Sequence, residues 1–294
     1  FLAVVLMIGF YALALGLCAA LGLLAWFDLQ GRHIHPKLLL FAVFTIGVVV
    51  WSIWPRREKF PDPGVRLRED DQPELWRMVR EVADAAEQAP PRALFLVEDV
   101  NAFVAERNSI MGFGGERIMG LGLPLLQVLT VPQLRSVIAH EFGHFHGGDT
   151  RLGPFIYRTR AAIGRTIVNF HKAESLLHKP FEWYGNLFLR ATFSISRAQE
   201  FAADALSVQL VGLAPMQTAL RRVNEVGPLY DHYLEGEFLP ILNRKMRPPL
   251  AAGFELFLAS QAIAKVQVEF GEHAMQAKGD PYDSHPPLPQ RLAA

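Results

Sequence analysis

The residues of this chain best suited to hold a metal ion and move a proton are the two histidines and the glutamate of His140-Glu-Phe-Gly-His144. On a helix, side chains at i and i+4 share a face, so both imidazoles can reach one ion. Glu141 lies about 100° round the helix from His140, near enough to meet a water at that ion without ligating it. Zinc suits such a site, because with three protein ligands it keeps one position open and lowers the pKa of a water there toward about 7. The only cysteine, Cys18, sits in an apolar stretch, so ligands to one Zn2+ must come from histidines and carboxylates.

A third ligand is needed, and Ser196-Arg-Ala-Gln-Glu-Phe-Ala-Ala-Asp-Ala-Leu-Ser207 offers one. Glu200 and Asp204 are again four apart on a segment helical by composition, so both carboxylates can face one site. Glu200 is the expected ligand, with Asp204 bonding a ligand imidazole from behind. A solvated acidic face is the alternative. It is disfavoured by Phe201, Ala202, Ala203, Ala205 and Leu206, which make a wholly exposed helix a poor fit.

The elements that must position these residues are partly legible. Thr130 and Gln133 form a capping-box pair and Pro132 suits a first turn. Leu134, Val137, Ile138 and Phe142 give the helix an apolar back, and Gly147-Gly148 is expected to end it. Upstream, Asp71 reads as an N-cap with Pro73 just inside, and Leu75, Met78, Val79 and Val82 continue one stripe. Arg92 to Val97 reads as a short buried strand. The run from Ile110 to Met119 reads as a hairpin turning at Gly114-Gly115. Beyond Val131 the pattern is mostly helical.

The N-terminal region is different in kind. Phe1 to Phe27 carries no charge and is long enough to cross a hydrocarbon core. After a polar break containing Gly31 and Pro36, Leu38 to Trp54 is apolar again, with Trp51 and Trp54 placed as interfacial aromatics. The expected element is a helical hairpin in the lipid bilayer. Arg56, Arg57 and Lys59 outnumber Arg32 and Lys37, which puts everything after residue 55 on the cytoplasmic side. The chain opens on Phe1, so residues are expected to precede it. Lys plus Arg balances Asp plus Glu at 29 each, so no global basic field points to nucleic acid.

Four separated segments resemble the HtpX and CaaX prenyl protease type of membrane zinc peptidase, a gluzincin family. They are Asn101-Ala102-Phe103, the His140-to-His144 motif with Asp149, Ser196-Arg-x-x-Glu200-Phe-Ala-x-Asp204, and Ser284-His285-Pro-Pro-x-x-x-Arg291. The resemblance implies that His140, His144 and Glu200 bind zinc, that Glu141 is the base, and that Asp204 supports a ligand. It implies that an edge strand at Asn101, Ala102 and Phe103 holds substrate backbone, and that His285 and Arg291 close the far wall of the site. His285 is then a candidate donor to the oxyanion, whereas a His-Pro-Pro taken alone is usually a turn. Arg291 could anchor the tail or meet a substrate carbonyl, and the anchoring role is favoured. His171, His178, His232 and His273 have no partner at ligand spacing and read as surface residues, as do His33 and His35 in the hairpin loop.

The chain departs from the family's pattern in two places. Members usually carry a further pair of spanning segments between the two metal-binding helices. Here residues 152–195 are too charged for that, and an amphipathic lid or interfacial element is expected. Ala105-Glu-Arg-Asn-Ser also replaces the commoner Ala-x-Gly after the Asn-Ala-Phe segment.

The expected protein is therefore α+β and mainly helical. A zincin-like metallopeptidase domain with a small β-sheet (71–294) follows a transmembrane helical hairpin (1–54) and a linker (55–70). Its expected reaction is zinc-dependent hydrolysis of an extended or unfolded peptide or protein, with membrane-protein quality control as a context drawn from the resemblance. Two rivals are a silent membrane adaptor, which would have no need of Glu141, and a processing enzyme for lipidated peptides, which needs an intramembrane chamber that two spans cannot build.

Overall fold

The computed structural model describes residues 2–54, 61–107, 115–145, 153–173, 175–279, 283 and 285–294. It divides into two compact units, residues 1–57 with 151–195 and residues 58–150 with 196–294.

In the first unit, helices α1 (Leu2–Gln30) and α2 (Pro36–Ile53) form the expected hairpin, and both are long and apolar enough to cross a membrane. At about 1.5 Å per residue, α2 spans roughly 27 Å, close to the thickness of a hydrocarbon core. Segment 153–195 supplies α6 (Gly153–Lys172) and the first part of α7 (His178–Val211), which pack on the hairpin. Phe10, Ala14 and Val49 are buried against Ala162, Ile163, Phe170, Phe181 and Phe188. The charges of 153–195 that forbid an apolar span are compatible with this packing because polar groups find partners inside it. Asn169 Nδ2 donates to Ser52 Oγ at 2.9 Å and Arg165 Nε to the Ser52 carbonyl at 3.0 Å. The outward faces remain apolar, with Leu40, Val43 and Phe44 exposed, as on a lipid-facing surface.

The second unit is built on a four-stranded sheet. Its strands are β1 (Val65–Leu67), β2 (Ala93–Val97), β3 (Ala102–Arg107) and β4 (Glu116–Gly122), in the order β1-β2-β4-β3. β2 and β4 run parallel, whereas the two outer pairs are antiparallel. The hairpin read at 110–119 is in fact β3 paired with β4, so Asn101-Ala-Phe leads directly into its first strand. Residues 108–114, including Gly114 of the expected turn, lie outside the described residues. β1 lies within the proline- and charge-rich stretch after the membrane hairpin, where three residues of alternation give too weak a pattern to read.

One sheet face carries Leu94, Ala102, Met119 and Leu121, which are buried against α3 (Pro73–Ala85), α5 (Val131–Gly143) and the C-terminal part of α7. Pro73 takes the first helical position of α3, which makes Gln72 the N-cap in place of Asp71. The capping box of α5 is formed, with Gln133 Oε1 accepting from the Thr130 backbone N–H at 2.9 Å. This helix ends at Gly143 with His144 as its cap, earlier than the Gly147-Gly148 stop, which falls outside the described residues. Beyond it, α8 (Leu213–Tyr233), α10 (Leu250–Leu258) and α11 (Gln261–Gln276) enclose an aromatic cluster of Tyr230, Tyr233, Phe254 and Phe257. The short helix α4 (Leu123–Val128) follows β4, α9 is Leu239–Asn243, and α12 (Leu288–Ala293) closes the chain.

Candidate active site

The site forms where α5 crosses α7 at unusually short range. A Cβ added at Gly143 would lie 2.6 Å from the Ala203 Cα, so only glycine lets the two backbones approach this closely. Two turns back along α5 and one turn on along α7, Ser136 Oγ and Ser207 Oγ hydrogen-bond at 2.7 Å, and Ser207 Oγ donates to the Ser136 carbonyl at 2.9 Å. Both serines are fully buried, so this pair satisfies polar groups that water cannot reach. Neither Gly143 nor the serine pair stands out from sequence as a positioning group. The available signal was their spacing, each lying one helical turn or less from a residue of the site.

This crossing brings His140 and His144 of α5 onto Glu200 and Asp204 of α7. The imidazole centroids lie 4.8 Å apart with the rings nearly perpendicular. His140 Nε2 is 3.6 Å from Glu200 Oε2 and His144 Nε2 is 3.5 Å from Glu200 Oε1. These separations are long for hydrogen bonds. They match the roughly 3.4 Å edges of a tetrahedron of N and O ligands about 2.0–2.1 Å from a central ion. Glu200 Oε2 is buried and has no hydrogen-bond partner among the described residues. His140 Nδ1, on the far side of its ring, bonds Asp204 Oδ1 at 2.9 Å, which turns Nε2 toward Glu200. The cluster His140, His144 and Glu200 could therefore hold a metal ion.

The charges tell the same story. Burial pushes the Glu200 and Asp204 carboxyls up, but the nearby His140 and Arg291 and a hydrogen bond from His285 hold Glu200 well below the usual range, and hydrogen bonds from Arg291 and His140 hold Asp204 below it. Burial opposes charging of His140, yet its bond to Asp204 and the nearby Glu200 carboxylate raise it to about 9. Burial, and then the neighbouring His140, lower His144 to about 4. Without a metal, the two carboxylates are answered by His140, His285 and Arg291, and a divalent ion between the same donors would displace the proton from the His140 nitrogen that faces Glu200.

The other expected residues fall as follows. Glu141 lines the same cavity, of about 380 Å³, and burial pushes its carboxyl up to about 7. Arg291 of α12 grips Asp204 with two bonds, Nε to Oδ2 at 2.8 Å and Nη2 to Oδ1 at 2.7 Å, and its Nη1 lies 3.3 Å from Glu200 Oε2. Gln217 Nε2 donates to the Leu292 carbonyl at 3.0 Å and so fastens α12 to α8. His285 Nδ1 is 3.0 Å from Glu200 Oε1, and that bond raises its pKa against the opposing effect of burial. The segment carrying His285 is tied to α7 by Arg197, whose Nη1 donates to the Asp283 carbonyl at 2.8 Å. Arg197 stands in the Ser196-Arg-x-x-Glu200 segment, but nothing in the sequence pairs it with Asp283. Asn101 and Ala102 line the cavity, but Phe103 points to the opposite sheet face, over Gly120. The strand's two-residue period separates neighbours in this way. Ser284 and Asp149 lie outside the described residues.

A profile of Peptidase family M48 matches residues 69–294, a span that includes every residue of this site. The chain belongs to peptidase family M48. Among curated proteins, Protease HtpX of Pasteurella multocida (strain Pm70) is 28% identical over 240 residues, covering 75% of this chain and 71% of the relative. Protease HtpX of Mannheimia succiniciproducens is 26% identical over 223 residues, covering 67% and 76%. Protease HtpX of Pseudoalteromonas atlantica is 24% identical over 288 residues, covering 91% and 86%. No solved structure matches. The M48 chain is a metallopeptidase acting on a peptide or protein, and its two apolar helices make it a membrane-associated one.

Proposed function

We propose that this metallopeptidase is a zinc-dependent endopeptidase in which His140, His144 and Glu200 hold one Zn2+ and Glu141 is the general base. What carries the reading is one observation: two imidazole nitrogens each about 3.5 Å from an oxygen of one buried, incompletely bonded carboxylate, with Glu141 beside them. When bound, zinc would polarise the scissile carbonyl and acidify a water at its open position.

The chain's own residues account for the rest. Glu141 takes the proton from the attacking water and delivers it to the leaving amine; a carboxyl that burial has raised to about 7 suits both transfers near neutral pH. Asp204, gripped by Arg291, fixes the ring of His140 by accepting its Nδ1 proton. His285, whose ring is 61% exposed, donates to the developing oxyanion. β3 is an edge strand of the sheet, and its start at Asn101 and Ala102 borders the cavity. An extended substrate would add to that edge through backbone hydrogen bonds, which gives weak sequence selectivity. The catalytic residues work at the cytoplasmic face of a lipid bilayer, by the Lys and Arg bias after residue 55. Membrane-protein quality control is the context that fits an enzyme taking unfolded segments there.

The test is zinc content and casein hydrolysis of the wild type and Glu141→Gln, both purified in detergent. Retained zinc with hydrolysis confined to the wild type supports the reading. Zinc bound by both with hydrolysis by neither would move a silent adaptor ahead.

A further inference from the structure

A second group of metal-ligating side chains lies apart from the catalytic one, at the turn between α6 and α7. His171 is in the last turn of α6, whereas His178 and Glu182 are one turn apart at the start of α7. One ligand atom from each lies within 4.8 Å of the other two. The sequence hides this cluster, because His171 and His178 are seven residues apart and are brought together only by the helix reversal.

The hydrogen bonding of His178 is that of a prepared ligand. Its Nδ1 is 2.7 Å from the Ser175 carbonyl oxygen, which can only accept, so Nδ1 carries the proton. In the neutral ring Nε2 then presents a lone pair. Its carboxylate neighbour, Glu182 Oε2, is 3.9 Å away, beyond hydrogen-bond reach. Metal-ligating histidines are commonly fixed in this way, through a backbone carbonyl on the other nitrogen. His171 Nε2 lies 2.6 Å from the other oxygen, Glu182 Oε1, and its ring stacks on that of His178 with centroids 4.0 Å apart.

Hydrogen bonds alone leave one donor atom of this cluster unused. The Nε2–H tautomer of His171 satisfies Glu182 Oε1 without a second charge, whereas His178 Nε2 has only the distant Glu182 Oε2 before it. Leaving His178 neutral sets a lone pair toward a carboxylate oxygen. A single divalent ion between the donors would use that lone pair and neutralise the carboxylate. His171 is exposed and Glu182 half-buried, so both side chains can rotate to admit an ion, while His178 is held.

We propose that His171, His178 and Glu182 form a second divalent-metal site of the Zn2+ class, which clips α6 to α7 across their connecting turn. Two imidazoles and one carboxylate suit zinc, with water completing the coordination. The site is structural, since no acid or base stands beside it among the described residues in the position Glu141 holds at the catalytic centre.

The experiment is zinc uptake by the full chain in detergent after chelation, followed by calorimetric titration with Zn2+. Wild type is expected to bind two equivalents. His178→Ala and Glu182→Gln are each expected to bind one and to keep casein hydrolysis, which also shows that they fold. His140→Ala/His144→Ala is expected to keep one equivalent at the turn. Uptake of a single equivalent by the wild type, lost in His140→Ala/His144→Ala, would overturn the proposal. Two equivalents surviving in both His178→Ala and Glu182→Gln would do the same.

Discussion

Asp204→Asn isolates the role of the carboxylate behind His140 with almost no change of shape. Asp204 accepts three bonds, from His140 Nδ1 at 2.9 Å and from Arg291 Nε and Nη2 at 2.8 and 2.7 Å. An amide offers one acceptor and one donor group, so it cannot meet all three. If its oxygen faces His140 and Arg291 Nη2, its NH2 points at the Arg291 Nε–H, donor against donor. If it turns the other way, its NH2 faces His140 Nδ1, which must then accept. That places the imidazole proton on Nε2, the nitrogen aimed at Glu200, and removes the lone pair a metal needs. Both orientations weaken the ligand. Loss of such a supporting partner typically costs 10–100-fold in metal affinity, or about 1.4–2.7 kcal/mol. The assay is competition for Zn2+ against a chromophoric chelator, with casein hydrolysis measured at rising free zinc. Activity is expected to return as zinc rises, because Glu141 is untouched. An affinity within twofold of wild type would refute the reasoning, as would activity that stays lost with the site filled.

Gly143→Ala puts a methyl group 2.6 Å from the Ala203 Cα, so α5 and α7 must separate. Overpacking of this kind costs about 1–3 kcal/mol, and zinc affinity should fall with stability because His144 and Glu200 sit on the two helices. A chelator-independent thermal midpoint equal to wild type would contradict this. Arg291→Met breaks a buried ion pair and should destabilise the metal-free protein by about 3 kcal/mol at neutral pH, read from urea midpoints. Its pH dependence has a definite sign. Burial raises the Asp204 carboxyl, but the bonds from Arg291 and His140 hold it below its unfolded value, so it stabilises the fold above about pH 4 and loses that contribution as pH falls through the folded value. The variant should therefore lose less stability on acidification than wild type, and parallel curves would rule this out. Thr130→Ala removes the side-chain half of the capping box on α5, with an expected cost of about 1 kcal/mol in the same assay and little change in zinc affinity.

Much of the site was legible in the sequence because its chemistry is carried by side chains at helical spacing. His140 with His144, and Glu200 with Asp204, are i,i+4 pairs whose shared faces follow from helix geometry alone. What was not legible depends on how the two helices meet. Gly143 matters because Ala203 lies opposite it, and Ser136 because Ser207 does; neither pairing leaves a periodic trace. The same limit explains His171 and His178, which look solitary until α6 turns back into α7. In the sheet, the continuous apolar run of β2 was readable, but the start of the hairpin was not. Its first strand is mostly half-buried, and glycines drew attention to the turn instead. Segment 153–195 was too charged for an apolar span, yet it packs on the membrane hairpin as helices whose polar groups bond inward to Ser52.

The central claim is that His140, His144 and Glu200 share one zinc ion. It is tested most directly by crystals of Glu141→Gln, grown with Zn2+ and measured on both sides of the zinc absorption edge. The expected result is an anomalous peak about 2.0–2.2 Å from both imidazole Nε2 atoms and from a Glu200 oxygen. Strong zinc signal elsewhere in the protein, with none among these three side chains, would contradict it.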